Sequence, residues 1–131
     1  MIGVDANVLL RLLTRDDEKQ YEVARAFFDK RSPDSPAFVS AVALAETAWV
    51  LRSSYKIPFD EIVESLSLLV ESDDFVVEGG EAFKSLKDNG GKASQLTDFI
   101  VAQMGARAGC QHTVTFDRHA SVSVPSMEFL E

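Results

Sequence analysis

Short strand-like runs alternate with longer helical patterns along the whole chain, and this alternation constrains the fold more than any other feature. Strands are predicted at residues 2–4, 37–40, 75–79, 112–117 and 126–131. Apolar residues at helical spacing predict helices at 8–13, 16–31, 41–55, 57–72, 81–88 and 95–109. Strands that alternate with helices form a parallel sheet covered by helices on both faces. The predicted fold class is therefore α/β.

Capping residues mark several of the predicted helix ends. Ser40 and Ser94 are predicted to cap the helices that follow them, and Asp60 is a candidate cap for the helix at 57–72. The stretch Asn89-Gly90-Gly91 is predicted to end the helix at 81–88, because glycine readily adopts the left-handed conformation.

Length and composition place the chain among ordinary soluble domains. The 131 residues predict a single domain, and no apolar run reaches the roughly 18–20 residues of a membrane span. No export signal is visible, and the single cysteine, Cys110, has no intrachain partner, so we predict a cytoplasmic protein. The net charge of −8 argues against broad affinity for nucleic acids. It suits a site that gathers cations or a basic partner.

Four carboxylates stand apart from the charged clusters that hold most of the acidic residues. Asp5 and Asp117 each end a predicted strand, whereas Glu46 and Asp98 are isolated within apolar helices. Each also has a purely structural interpretation. Asp5 and Asp117 are candidate caps of following helices, Asp98 a partner for a helix dipole, and Glu46 a partner for a buried arginine.

The carboxyl ends of parallel strands meet at one edge of a sheet, where ligands bind. If the four acids converge there, their mutual repulsion calls for a cation, and Mg²⁺ or Mn²⁺ prefers such oxygen ligands. That chemistry suits phosphodiester hydrolysis. Asn7 and Thr115 are candidate supporting groups. The candidate contacts to a nucleic-acid backbone are Arg11, Arg15, Lys92, Arg107 and Arg118.

Other common chemistries find no motif in the chain. The two histidines, His112 and His119, form no Cys/His cluster with zinc spacing. The stretch "NGGKAS" lacks the frame of a phosphate-binding P-loop, and no G-x-S-x-G nucleophile motif occurs.

Three segments together resemble the PIN-domain family, in particular the VapC-type toxins of bacterial toxin–antitoxin pairs. They are "GVDANVLLRLLTRDD", "VSAVALAETAWVL" and "LTDFIVAQMGARAGCQHTVTFDR". The resemblance spans nearly the whole chain, and its specificity lies in the order and spacing of the motifs.

The resemblance implies an α/β/α sandwich around a parallel sheet and a ribonuclease that depends on Mg²⁺ or Mn²⁺. Asp5, Glu46 and Asp98 would be the core metal-binding acids, and Asp117 the fourth acid. The resemblance further implies an RNA substrate, a homodimer, and a cognate antitoxin whose C-terminal segment occupies the groove.

Three other interpretations remain at this stage. A PIN fold kept as a non-catalytic binding module would use the acids only to receive a partner, and a plain structural domain would not use them at all. An aspartyl-phosphate phosphotransferase would use Asp5 as its nucleophile, with a second aspartate two residues later. Asn7 occupies that position instead.

Overall fold

A computed structural model describes the backbone of residues 1–131 and every side chain except that of Ala93. The chain divides into two compact units, Met1–Glu78 and Gly79–Glu131. Parallel strands flanked by helices occur in both units, so the predicted α/β fold with a parallel sheet is confirmed. Within the described residues, no helix combines the length and the apolar character needed to cross a membrane. The assignment of residues 1–131 to one domain stays a prediction.

The first unit contains a three-stranded parallel sheet. Its elements, in chain order, are β1 (Ile2–Val4), α1 (Ala6–Thr14), α2 (Glu18–Asp29), β2 (Ala37–Val39), α3 (Ala41–Ser53), α4 (Phe59–Glu71) and β3 (Phe75–Val77). The strand order is β1-β2-β3. Val4 pairs with Val39, and Val39 pairs with Val77. The three strands therefore end level with one another at one edge of the sheet.

The second unit contains a two-stranded parallel sheet. Its elements are α5 (Gly80–Asp88), a 3₁₀ turn (Ala93–Gln95), α6 (Leu96–Arg107), β4 (Thr113–Thr115), α7 (Arg118–Ser123) and β5 (Met127–Phe129). Helix α7 connects β4 to β5, which pair from Thr113 with Met127 to Thr115 with Phe129.

Helix α3 is apolar on two sides, and only one of them is packed. Leu44, Ala48 and Leu51 recur every three or four residues and are buried in the first unit. Full burial of a leucine side chain contributes about 1.5–3 kcal/mol to folding. On another side of the helix, Val42 and Trp49 are 76% and 68% exposed. This double apolar character explains why the sequence around Glu46 resembles that of a fully buried helix.

Two of the predicted helix ends are confirmed. Ser40 caps α3, since its Oγ accepts a hydrogen bond of 3.1 Å from the backbone N–H of Ala43. Gly90 follows α5 with a φ of 65°, the left-handed conformation that glycine adopts without strain.

Two predicted caps are wrong, and one short helix has no counterpart among the predicted helices. Helix α4 follows Pro58, which places Asp60 inside its first turn. Ser94 lies within the 3₁₀ turn, where its backbone is already helical, and Gln95 precedes α6 instead. That helix is α7, which is too short to show a periodic apolar pattern.

Candidate active site

The edge of the first sheet carries polar side chains at the point where each strand ends. Asp5, Ser40 and Glu78 directly follow the paired residues that end β1, β2 and β3. The backbone N–H of Glu78 donates to the carbonyl of Val39 at 2.8 Å, so the ladder between the last two strands continues to this edge. Because neighbouring strands lie about 4.8 Å apart, the three side chains form a short polar row.

Asp5 is exposed at this edge and caps α1. Its Oδ1 accepts a hydrogen bond of 3.1 Å from the backbone N–H of Val8. The structural role predicted for Asp5 is therefore present, and it occupies one of the two carboxylate oxygens. Asn7 lies two residues further on, exposed in the first turn of α1. The apolar neighbours in sequence thus do not bury the charge of Asp5.

Glu46 lies in the middle of α3, exposed on the same side of the helix as Val42 and Trp49. Its side chain forms no hydrogen bond or salt bridge within the part of the chain that the structure describes. The predicted alternative, a buried arginine partner, is therefore absent from those residues.

Glu78 is a site residue that the sequence reasoning missed. Its Oε1 accepts a hydrogen bond of 2.9 Å from the backbone N–H of Ala41, the first residue of α3. Together with the Ser40 cap, this bond attaches the start of α3 to the edge of the sheet. Helix α3 is the helix that carries Glu46. The available signal was an acidic residue near the end of the predicted strand at 75–79, similar to the strand-end position that singled out Asp5.

In the second unit, Asp117 follows β4 and caps α7. Its Oδ1 accepts a hydrogen bond of 3.0 Å from the backbone N–H of Ala120. The backbone N–H of Asp117 donates to Thr115 Oγ1, also at 3.0 Å. Thr115, predicted as a supporting residue, thus holds the turn that positions the Asp117 carboxylate.

Asp98 lies half-buried in the first turn of α6, as the predicted dipole partner would. Burial raises its pKa above that of an ordinary aspartate, and the negative charge of Asp117 raises it further. The fold therefore brings these two acids close enough to repel each other, although 18 residues separate them in the sequence. A cation bound beside them would relieve that repulsion.

Two of the five basic residues predicted to contact nucleic acid are engaged within the first unit. Arg11 bonds to Gln20 and forms a salt bridge of 3.1 Å with Asp16. Arg15 forms a salt bridge of 3.0 Å with Glu18. Both arginines therefore have acidic partners that would compete with a phosphate.

The other three basic residues lie in the second unit and are exposed. Arg118 places its guanidinium 4.0 Å from the centre of the Phe129 ring, a cation–π contact that leaves its hydrogen-bond donors free to bind a ligand. Lys92 lies in the loop after α5, and Arg107 ends α6.

Carboxylate oxygens are ligands that a hard divalent cation prefers, so the type of donor in these four acids suits Mg²⁺ or Mn²⁺. None of Asp5, Glu46, Asp98 and Asp117 forms a salt bridge among the residues that the structure describes. Among those same residues, no group of three or more His, Cys, Asp or Glu side chains is placed to hold a metal ion. The convergence of all four acids on one ion stays a prediction.

Comparison with known protein families gives a match over most of the chain. The family model described as PIN domain matches residues 2–122, which is most of the chain. No curated protein matches the chain.

Proposed function

The chain belongs to the PIN domain family, and from that premise we propose that it is a metal-dependent endoribonuclease, the toxin of a toxin–antitoxin pair. PIN domains generally have a nuclease-type fold and act on nucleic acid. The observation that carries the proposal is the pair of acids in the second unit. Asp98 is half-buried, and its pKa is raised by burial and by Asp117. Perturbed carboxylates of this kind are typical of functional sites.

We assign Asp5, Glu46, Asp98 and Asp117 as ligands of Mg²⁺ or Mn²⁺. When bound, the ion would activate water and neutralise the charge that develops on the phosphodiester. The chain's own contribution is to hold the carboxylates in place. Asp5 and Asp117 are held by the N–H groups of the helices they cap. A cap leaves one carboxylate oxygen for a ligand, so the structural and the chemical roles are compatible.

The proposed antitoxin has a candidate groove in the first unit. A cavity of about 560 Å³ lies beside β1, between α1 and α2. Val8, Val23 and Phe27 line it, and Asp5 lies at its margin. An amphipathic segment of a partner would place apolar side chains here and a basic one against Asp5. A neighbouring gene for a short DNA-binding antitoxin is the expected genomic context.

The proposed homodimer has a candidate surface on α3. Val42 and Trp49 are large apolar side chains exposed on one side of this helix. Their exposure is costly in a monomer, and a second copy of the chain would cover them. Sedimentation of the purified protein tests this: Trp49→Asp should shift a dimer to the monomer.

Cleavage of single-stranded RNA by the purified protein tests the proposed activity. We expect cleavage with Mn²⁺ or Mg²⁺, none with EDTA, and none by Asp98→Asn. Asp88→Asn, which changes an exposed aspartate at the end of α5, is the matched control and should cleave normally. Full cleavage by Asp98→Asn would refute the site assignment.

The alternative function, a PIN fold that binds without catalysis, makes a different prediction. It predicts no turnover of any RNA, and calorimetry with Mn²⁺ would separate it from a plain structural domain, which should not bind the metal at all. The aspartyl-phosphate mechanism predicts that a phosphoryl mimic is trapped on Asp5.

A further inference from the structure

A cavity of about 420 Å³ lies in the second unit, between the loop after α5, the start of α6 and α7. Its polar lining includes Lys92, Gln95, His119 and Ser123, and none of the residues that line it is acidic. The chain as a whole has 21 acidic and 13 basic residues. Its lining, with a lysine, a histidine and no carboxylate, therefore suits an anion better than most of the surface of this acidic protein does.

The side chain of Gln95 joins the two walls of this cavity. Its Oε1 accepts a hydrogen bond of 3.0 Å from the backbone N–H of Lys92. Its Nε2 donates to Ser123 Oγ at 3.1 Å and lies 3.3 Å from His119 Nε2. The Lys92 contact identifies Oε1 as the amide oxygen, so Nε2 is the donor of this amide.

Glycine lets the loop approach closely enough to form this wall. A Cβ added to Gly91 would lie 3.0 Å from Leu86 Cγ and 3.1 Å from the Leu86 carbonyl oxygen. A larger residue would require Leu86, Gln95 or the loop itself to shift by a few tenths of an ångström. The backbone of Lys92 is thus held beside Gln95, while its side chain is exposed.

The cavity borders the elements that carry the paired acids. Gln95 precedes Asp98 by three residues, about one helical turn, and His119 follows Asp117 by two residues. An anion held by Lys92 and His119 would therefore be bound by the same elements that carry those carboxylates.

We propose that this cavity binds a phosphate group of single-stranded RNA, a neighbour of the phosphate that is cleaved. Lys92 supplies a charge-assisted hydrogen bond, and His119 and Gln95 line the cavity as further polar groups. The choice of RNA as the ligand rests on the proposed nuclease function. The preference for an anion rests on the residues that line the cavity.

The test measures RNA binding without cleavage, in EDTA, by fluorescence anisotropy of a labelled single-stranded oligonucleotide. Lys92→Ala loses one charge-assisted contact and should therefore bind the oligonucleotide about ten-fold more weakly than the native chain does. It should also lower the slope of log K against log salt by about 0.7. Lys92→Arg should restore most of the binding. Lys84→Ala, which removes an exposed lysine of α5 outside the cavity, is the matched control.

Each outcome decides the proposal. Equal losses from Lys92→Ala and Lys84→Ala would overturn it, because they would show only diffuse attraction. Inorganic phosphate that perturbs the His119 resonances while RNA does not would also overturn it, in favour of a small phosphorylated ligand. RNA cleavage that is indifferent to Lys92 refutes the subsite alone. RNA binding through Lys92 without any cleavage in Mn²⁺ refutes the nuclease and leaves the subsite standing.

Discussion

Asp5 allows the structural and the chemical role of one carboxylate to be separated. It caps α1 through a hydrogen bond of 3.1 Å to Val8, and it is a proposed metal ligand. Asparagine keeps a side-chain oxygen that accepts the same bond but removes the negative charge, whereas alanine removes both. The two variants should therefore differ in stability and agree in their loss of activity.

The expected magnitudes follow from the exposed position of the cap. Loss of a side-chain cap costs about 1 kcal/mol, and loss of a negative charge at a helix N-terminus costs about 0.5 kcal/mol. Asp5→Asn should thus reduce the free energy of unfolding by about 0.5 kcal/mol, and Asp5→Ala by about 1.5 kcal/mol. For a chain of this size, the difference between them corresponds to about 4 °C in Tm.

Urea denaturation and RNA cleavage, measured on the same preparations, check both parts. Cleavage should fall by at least about 100-fold in both variants, as expected for removal of a metal ligand. Cleavage by Asp5→Asn at the normal rate would refute the ligand role. Equal stability of the two variants would refute the cap as the source of the difference.

Three further predictions concern other parts of the site. In metal-free protein, the raised pKa of Asp98 makes the folded state hold its proton to higher pH than the unfolded chain does. The free energy of unfolding therefore falls as the pH rises from about 4 through the raised pKa of Asp98, because the folded state then loses the proton that it binds more tightly. Asp98→Asn should remove that dependence and raise the Tm at pH 7; a lower Tm would contradict it. Mn²⁺ at about 100 times its Kd should raise the free energy of unfolding of the native chain by about 2.7 kcal/mol, as measured by urea denaturation. The same Mn²⁺ concentration should leave the free energy of unfolding of Asp98→Asn unchanged. Glu78→Ala should lower the free energy of unfolding by about 1–2 kcal/mol and slow cleavage, because it leaves the Ala41 N–H at the start of α3 without its acceptor. Glu78→Gln keeps a side-chain oxygen that accepts this bond, so its free energy of unfolding should fall less.

Local sequence was a good guide to the elements and to several of their ends. The strands at β1, β2 and β3 and the cap at Ser40 depend on a few neighbouring residues, so the pattern alone predicts them. The errors at Asp60 and Ser94 have the same local origin. Each residue type favours a cap, but the backbone at that position was already helical.

The sequence by itself determined the α/β alternation, the family motifs and the isolation of four carboxylates among apolar residues. Only the tertiary structure decided that Asp117 lies close enough to Asp98 to raise its pKa. It also decided that Glu78 holds the start of α3 and that Gln95 joins Lys92 to α7. The reason is physical. Helix and strand preferences arise from contacts a few residues apart, whereas pKa shifts and cavity walls arise from groups that only strand register and helix packing bring together.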